Sequence, residues 1–225
     1  PSSLKYIGGA AFTACTSLTN IVFPEGLEKI NDFTFANCSN LTNIVFPNNI
    51  RNIGNSAFYN CINLTNIVFP KSLQTIGISG FSGCHNLTKI VFPESLEKIM
   101  ARCFSDCSSL TNIVFPKGLK NIGVRAFADC KMITKIVFPS KKIKMDRDAF
   151  KNCGQLTQIT FAGDRFESFK EATDMACHPQ LPKDTTRTAQ WNVNIPDASN
   201  EKTTLTLHGV WEPGNTVEDK PNDKL

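Results

Sequence analysis

The heptapeptide Leu-Thr-Asn-Ile-Val-Phe-Pro recurs along the chain at an unvarying interval. It is intact at Leu18–Pro24, Leu41–Pro47, Leu64–Pro70 and Leu110–Pro116. Leu87–Pro93 departs only at Lys89, and Ile133–Pro139 only at Ile133 and Lys135. A weaker copy, Leu-Thr-Gln-Ile-Thr-Phe-Ala, occupies Leu156–Ala162. Successive starts are 23 residues apart throughout. A period in the twenties that never slips leaves the chain little choice. One such unit cannot bury its apolar face alone, so units stack into a solenoid.

After the proline each period carries a second pattern, Leu-x-x-Ile-Gly-x-x-Ala-Phe-x-x-Cys. Its anchors include Leu27/Ile30, Ile50/Ile53, Leu73/Ile76, Leu96/Ile99 and Leu119/Ile122. Phe closes it at 12, 35, 58, 81, 104, 127 and 150, and Cys follows three residues later at 15, 38, 61, 84, 107, 130 and 153. The half-repeat from Leu4 to Ser17 has no heptapeptide before it, which reads as a chain that starts within a coil.

The heptapeptide reads as a strand with period-two alternation. Its Ile and second apolar Phe face the coil interior, and its Asn or Lys and its Val face out. Pro ends it, having no N–H to give a ladder. Strands of successive coils then pair in parallel. The outward stripes are Val22 to Val137, Asn20 to Lys135 and Thr19 to Thr157. Two explanations stay open. Val and Thr suit a half-wet strand face, and Asn and Thr columns satisfy one another. Alternatively, the stripes form a flat binding array, a valine ridge in a polar frame. If so, the surface centres on Val68, Val91 and Val114, with Asn66, Lys89, Asn112 and Lys135 beside them. Glycines at 54, 77 and 123 read as bends in the return half, and the Phe columns as core.

With 41% hydrophobic and 20% charged residues the composition is that of a globular chain, and a net charge of +4 gives no case for nucleic acid. No apolar run of about 18 residues occurs, as a membrane-spanning helix would need. The Cys column reads as small buried thiols, although parallel coils about 4.8 Å apart leave disulfides geometrically open. Cys103 sits at a phase of small residues, and Cys177 is either free or paired with Cys153. No CxxC pair argues for zinc. His85, His178 and His208 have no ligand-like spacing, and no nucleophile, phosphate-loop or metalloprotease motif is present. The reading is therefore non-enzymatic, with no metal and no cofactor. Sequons at Asn37, Asn40, Asn63 and Asn86 recur because the repeat recurs. The sixth coil is degraded, with Lys142 where Leu is expected and Met145-Asp146 for Ile-Gly. Lys141, Lys142, Lys144 and Arg147 make it locally basic.

Beyond Phe161 the repeat stops. Asp164-x-x-Glu167 has the form of a capping box, predicting a short helix over 164–177. A linker, Gln180–Thr188, then leads to two strands, Gln190–Ile195 and Thr203–Trp211, which pair across Pro196–Glu201, with Trp191 and Trp211 packed on the cap. The expected organisation is a solenoid over residues 1–161, about seven coils, a C-terminal α+β cap over 162–212 and a polar tail over 213–225.

The combined motif Leu-x-x-Ile-x-Phe-Pro-x-x-Leu-x-x-Ile-Gly-x-x-Ala-Phe-x-x-Cys resembles the BspA-like, or Treponema pallidum-type, leucine-rich repeats. The resemblance implies a leucine-rich-repeat solenoid with a parallel β-sheet face, a short strand/turn return and no fixed catalytic residues. It further implies a secreted or cell-surface protein acting in adhesion. The expected partner is a protein or glycoprotein, such as host extracellular matrix, and neither a nucleic acid nor a small-molecule substrate. The chain is expected to be a monomer. A spacer or stalk presenting another domain is the alternative. Thr203–Trp211 also looks like the closing strand of small cell-wall repeats.

Overall fold

The computed structural model describes residues 4–139, 143–161, 186–192 and 202–207. Over the first two stretches it is a solenoid of 23-residue coils, which we number from the heptapeptide at Leu18. Heptapeptides supply one side: β1 (Asn20–Val22), β3 (Asn43–Val45), β5 (Asn66–Val68), β8 (Asn112–Val114), β10 (Lys135–Phe138) and β12 (Gln158–Phe161). Their pairing is parallel and in repeat register, Asn20 to Asn43, Asn43 to Asn66 and Lys135 to Asn112.

The Leu-x-x-Ile stretches form a second sheet. It consists of β2 (Lys29–Ile30), β4 (Asn52–Ile53), β6 (Thr75–Ile76), β7 (Lys98–Ile99), β9 (Asn121–Ile122) and β11 (Lys144–Met145). Each strand is only two residues long, yet all six are joined in one unbroken order. The degraded sixth coil keeps this ladder. Met145 takes the Ile place opposite Ile122, and Ile143 is buried beside it.

The third side is a chain of tight turns around the closing Phe. Two residues per coil have positive φ, one two places before the Phe and one two places after it, for example Ser56 and Asn60 about Phe58. Alternating hand turns every second N–H along the solenoid axis. Ser56, Phe58 and Asn60 donate to the carbonyls of Ile78, Gly80 and Ser82 in the next coil, each at 2.8 Å. The residues between close turns within the coil, as Tyr59 does on Ser56 O at 3.2 Å. A non-glycine residue in the left-handed region costs about 1 kcal/mol. The inter-coil bonds offset that cost.

Gly54 and Gly123 were expected as bends. Neither has positive φ; among the described glycines only Gly83 does. The requirement is room. A Cβ at Gly54 would lie 2.6 Å from the Asn31 carbonyl carbon, and one at Gly123 2.6 Å from Ala101 N. These glycines let one coil's main chain settle against the last.

The core is a set of stacked columns. Leu, Ile and Phe of both halves are nearly all fully buried, as are Cys38 to Cys130. Closing rings stack on one another and meet the heptapeptide rings edge-on, as Phe58 does with Phe81 (5.1 Å) and Phe46 (5.7 Å). Each buried Phe is worth roughly 1.5–3 kcal/mol, and each stack adds a further fraction of that.

After β12 the sheet continues into β13 (Thr186–Asn192), which pairs with it in parallel, and β13 pairs antiparallel with β14 (Lys202–Leu207). The expected two-strand pairing is present with shifted bounds. The first strand starts at Thr186, so the last part of the expected linker is strand. The expected helix over 164–177, the turn Pro196–Glu201, Trp211, Lys141, Lys142 and Cys177 lie outside the described residues.

Candidate protein-interaction face

The alternation within each heptapeptide places Val outward. Val22, Val45, Val68, Val91 and Val114 are 94%, 62%, 50%, 67% and 60% exposed, while the Ile and Phe on either side of each Val turn inward. Asn66, Lys89, Asn112 and Lys135 are also exposed. The seven residues expected at the site therefore all stand on one side of the solenoid.

That side is not flat. A groove of about 630 Å³ crosses the fourth and fifth coils, and Lys89, Val91, Asn112 and Val114 line it. Its walls also include Thr88, Thr111, Glu94 and Pro116. Val68 and Asn66 lie on the third coil and Lys135 on the sixth, beyond the groove. Glu94 follows the heptapeptide directly, at a position that differs from coil to coil, and nothing in the sequence marks it as lining a groove.

The groove coincides with an interruption. The heptapeptide strands form two sheets, β1-β3-β5 and β8-β10-β12 with its extension, and the fourth coil's Lys89–Val91 belongs to neither. Its one link is a single bridge from Lys89 to Asn112. The Thr column shows the same break. Thr42, Thr65, Thr111, Thr134 and Thr157 each donate N–H to the preceding threonine's carbonyl at 2.8–3.3 Å, and Thr88 does not. Their hydroxyls bond the same carbonyls, again without Thr88. At the Phe phase the inter-coil bond is made by Phe46 and Phe115, to Val68 and Val137, and not by Phe23, Phe69 or Phe92, so of these two columns only the threonine column singles out the fourth coil.

The groove lining carries one charge of each sign, Lys89 and Glu94. Glu94 accepts the Lys117 N–H at 3.1 Å, so its carboxylate is engaged within the solenoid. Lys89 and Lys135 form no ion pair among the described residues; the ion pairs there are Lys120–Glu97, Arg125–Asp148 and Lys144–Asp146. The last of these engages one lysine of the basic cluster expected in the sixth coil.

Away from this face the chemistry is structural. The thiols of Cys38, Cys61, Cys84, Cys107, Cys130 and Cys153 each donate to a Phe carbonyl 26 residues earlier, at 3.1–3.3 Å. The column is thus one of weak donors that satisfy a buried carbonyl per coil. Burial, and then the thiol of Cys38, push Cys61 up to about 12. Burial raises Cys84, Cys103, Cys107 and Cys130 well above the ordinary value. These are not nucleophiles near neutral pH. The side-chain amides of Asn40, Asn63 and Asn86 form a ladder, Asn63 bonding Asn40 at 3.3 Å and Asn86 bonding Asn63 at 3.0 Å. Among the described residues no His, Cys, Asp or Glu group is placed to hold a metal, and no helix is long and apolar enough to cross a membrane.

The chain matches the family described as the BspA type leucine rich repeat region, in six copies over residues 1–107 and 74–177. It is similar to the crystal structure of a T. pallidum leucine rich repeat protein, with 30% identity and a TM-score of 0.65, over 69% of this chain and 75% of that one. A leucine rich cell surface protein from Faecalibacterium prausnitzii A2-165 shares the fold at 24% identity and a TM-score of 0.54, over 72% of this chain and 50% of that one. No curated protein matches the chain.

Proposed function

This chain belongs to the BspA type leucine rich repeat family, and from that premise we propose that it is a protein-interaction module of a secreted or cell-surface protein. It binds a protein or glycoprotein partner, with host extracellular matrix the expected target, and does so without catalysis. One observation carries the reading. Five coils expose Val at the same phase, between 50% and 94%, on a side that also displays Thr and Asn or Lys. Burying five valines against a partner removes an apolar ridge from water, while the polar columns set register. The other sides of the coil turn Leu, Ile, Phe and Cys inward and present no comparable column.

The test is the triple variant Val68→Asp, Val91→Asp, Val114→Asp. All three side chains are exposed, so the fold is retained and circular dichroism stays that of the parent. Binding to immobilised matrix proteins is expected to disappear. Retained binding in a folded triple variant, together with its loss on charge reversal of Lys144 and Arg147, would move the site to the sixth coil. Absence of binding by the parent chain to any matrix protein would favour the spacer role.

A further inference from the structure

From the first coil to the third, and from the fifth to the sixth, neighbouring coils are bonded on all three sides. The boundary between the third and fourth coils is bonded on two. Its turn side is complete, with Ser79, Phe81 and Gly83 donating to Ala101, Cys103 and Ser105 at 2.8–2.9 Å. Its second sheet is complete too. There β6 pairs β7, Met100 N–H meets Ile76 O at 3.0 Å, and the Ser95 hydroxyl meets Leu73 O at 2.7 Å. On the heptapeptide side no hydrogen bond joins Leu64–Pro70 to Leu87–Pro93 among the described residues. The following boundary carries on that side the Lys89–Asn112 bridge and the Thr111 bonds to Thr88 O, and the groove lies over it. The core nevertheless runs through. Phe92 is 7% exposed, 6.0 Å from Phe69 and 5.9 Å from Phe115. Two sides and the core therefore hold the fourth coil in the stack, and its third side is free to change its spacing.

We infer that the boundary between the third and fourth coils is a hinge, closed on the turn side and second sheet and opening on the valine face. Coils in a solenoid touch only their neighbours, so the stack bends where a boundary is bonded unequally round its circumference. The plates on either side are the two heptapeptide sheets, β1-β3-β5 and the sheet that begins at β8. The structure shows the open state. In the closed state the Thr88 N–H and hydroxyl reach Thr65 O, as those of Thr65 reach Thr42 O at 3.0 and 3.2 Å. Both states keep the Phe rings stacked, so they differ by a few hydrogen bonds rather than by exposed core. That is the condition for two packed arrangements to interconvert by hinge and shear movement. A partner lying across Val68 and Val91 fixes the angle between the plates and so selects one state. This use of the hinge rests on the valine face being the binding face; the hinge itself does not.

The test uses the full 225-residue chain without a partner. Amide relaxation dispersion reads motion on the μs–ms scale of hinge and shear movements. Dispersion is expected at Thr65–Phe69 and at Leu87–Phe92, on both lips of the boundary, and one exchange rate should describe them all. Ser79, Phe81, Gly83 and Met100, on the bonded sides, should give flat profiles. The minor state, about 0.1–10% of the molecules, should move the Thr88 amide proton downfield, to where the bonded amides of Thr65 and Thr111 resonate. Flat profiles on both lips would overturn the inference. So would separate rates for the two lips, which mean independent local motion, or a minor-state Thr88 shift at the unfolded-chain value, which means fraying of one strand. Dispersion of the same size at Ser79, Phe81 and Gly83 would overturn it as well, because the turn side would then not be the closed side. The triple valine variant is read with a partner and the dispersion without one, so the two readings fail separately. Flat profiles in a chain that binds matrix remove the hinge and leave the face, and concerted dispersion in a chain that binds none leaves the hinge and removes its use.

Discussion

On the turn side of the coil, the closing phenylalanines stack at 5.1–5.4 Å from Phe12 to Phe150. On the heptapeptide side the rings lie 5.6, 6.1, 6.0, 5.9 and 5.2 Å apart, Phe23 to Phe138. The hydrogen bonds follow the rings. Three inter-coil bonds per coil cross the turn side at 2.7–2.9 Å, with only Arg125 to Arg147 longer at 3.2 Å. Across the heptapeptide side, bonds reach 3.5 Å, and the Thr88 N–H makes none. Yet the heptapeptide side is the one that repeats almost letter for letter. Uniform sequence there has not produced the tighter ladder. The turn side, with Phe33, Ser56, Ser79 and Arg102 sharing one phase, holds the coils together. Main-chain geometry explains the difference. Paired left-handed residues turn three N–H groups per coil along the axis whatever their side chains, while a three-residue strand depends on its neighbours' spacing.

The comparison breaks most visibly in alkali. The shifted thiols all belong to the turn side, Cys61 and Cys153 raised from 9.0 to about 12, and Cys38, Cys84, Cys103, Cys107 and Cys130 raised in the same direction. Above 9 the unfolded chain loses thiol protons that the folded chain keeps. The folded state then binds more protons, so stability falls as pH rises. Below 9 the contribution is fully present. Each thiol removes about 1.4 kcal/mol per pH unit in that window, and several acting together exceed the stability of an ordinary domain within about one to two units. We expect one cooperative unfolding step above pH 9, with thiolate absorbance rising in the same step as the loss of circular dichroism. Thiolate appearing while the fold persists would show that the turn side is open to solvent.

Core truncation gives the next largest effect. Phe81→Ala removes a ring stacked at 5.1 and 5.4 Å, and Phe92→Ala one stacked at 6.0 and 5.9 Å. Both are buried, so each loses about 3–5 kcal/mol. The more tightly held ring should cost more, by about 1 kcal/mol. Urea unfolding of the two variants decides it, and equal losses would mean that the ring spacings carry no energetic difference.

The columns of the core were legible in the sequence because burial forces periodicity: every inward Ile, Phe, Leu and Cys recurs at its phase. The outward valines were legible from the same alternation. Half of the left-handed positions were legible in principle, since Asn37, Asn60, Gly83, Asp106, Asp129 and Asn152 share a phase and are the residue types that tolerate positive φ. The other half was not, because Phe33 and Arg102 carry no such mark. The role of Gly54 was misread as a bend, since a close main-chain approach between coils leaves the same letter as a turn. The groove was invisible. It arises from the spacing between coils, and its wall is partly main chain, which every residue shares.

Amide exchange compares the two sides within one coil boundary. Ser79, Phe81 and Gly83 donate to the fourth coil at 2.8–2.9 Å, and Thr88 donates to nothing described. The first three should exchange only with global unfolding. Thr88 and Phe92 should exchange through local opening, faster by about a hundredfold or more. Equal protection would mean that the heptapeptide side closes in solution and that the groove over it is not kept open.

The smallest effect addresses the cause of the break. The fourth coil departs from the repeat at Lys89, at Met100 and at Cys103. Lys135 is also a lysine, yet β10 pairs on both sides, so lysine alone does not open a ladder. Cys103 is wholly buried at a phase that accepts small residues. Met100 remains. At its phase, a Cβ added to Gly77 would lie 2.7 Å from the Gly54 main chain, and one added to Gly123 2.6 Å from Ala101 N. Met100 carries a real Cβ there, which the third coil's main chain has to accommodate. Its N–H reaches Ile76 O at 3.0 Å, where Gly77 reaches Ile53 O at 2.8 Å. Asp146 fills the same phase in the sixth coil, and there the slack surfaces beside it, in the 3.2 Å bond from Arg125 to Arg147. Met100→Gly should let the fourth coil settle and Thr88 N–H reach Thr65 O. One such bond is worth about 0.5–1.5 kcal/mol, which appears as roughly tenfold slower exchange at Thr88. The flexibility of the new glycine costs about 0.5–1 kcal/mol, so global stability should barely move. Exchange at Thr88 that stays fast in a folded Met100→Gly chain would remove Met100 as the cause and return the question to Lys89.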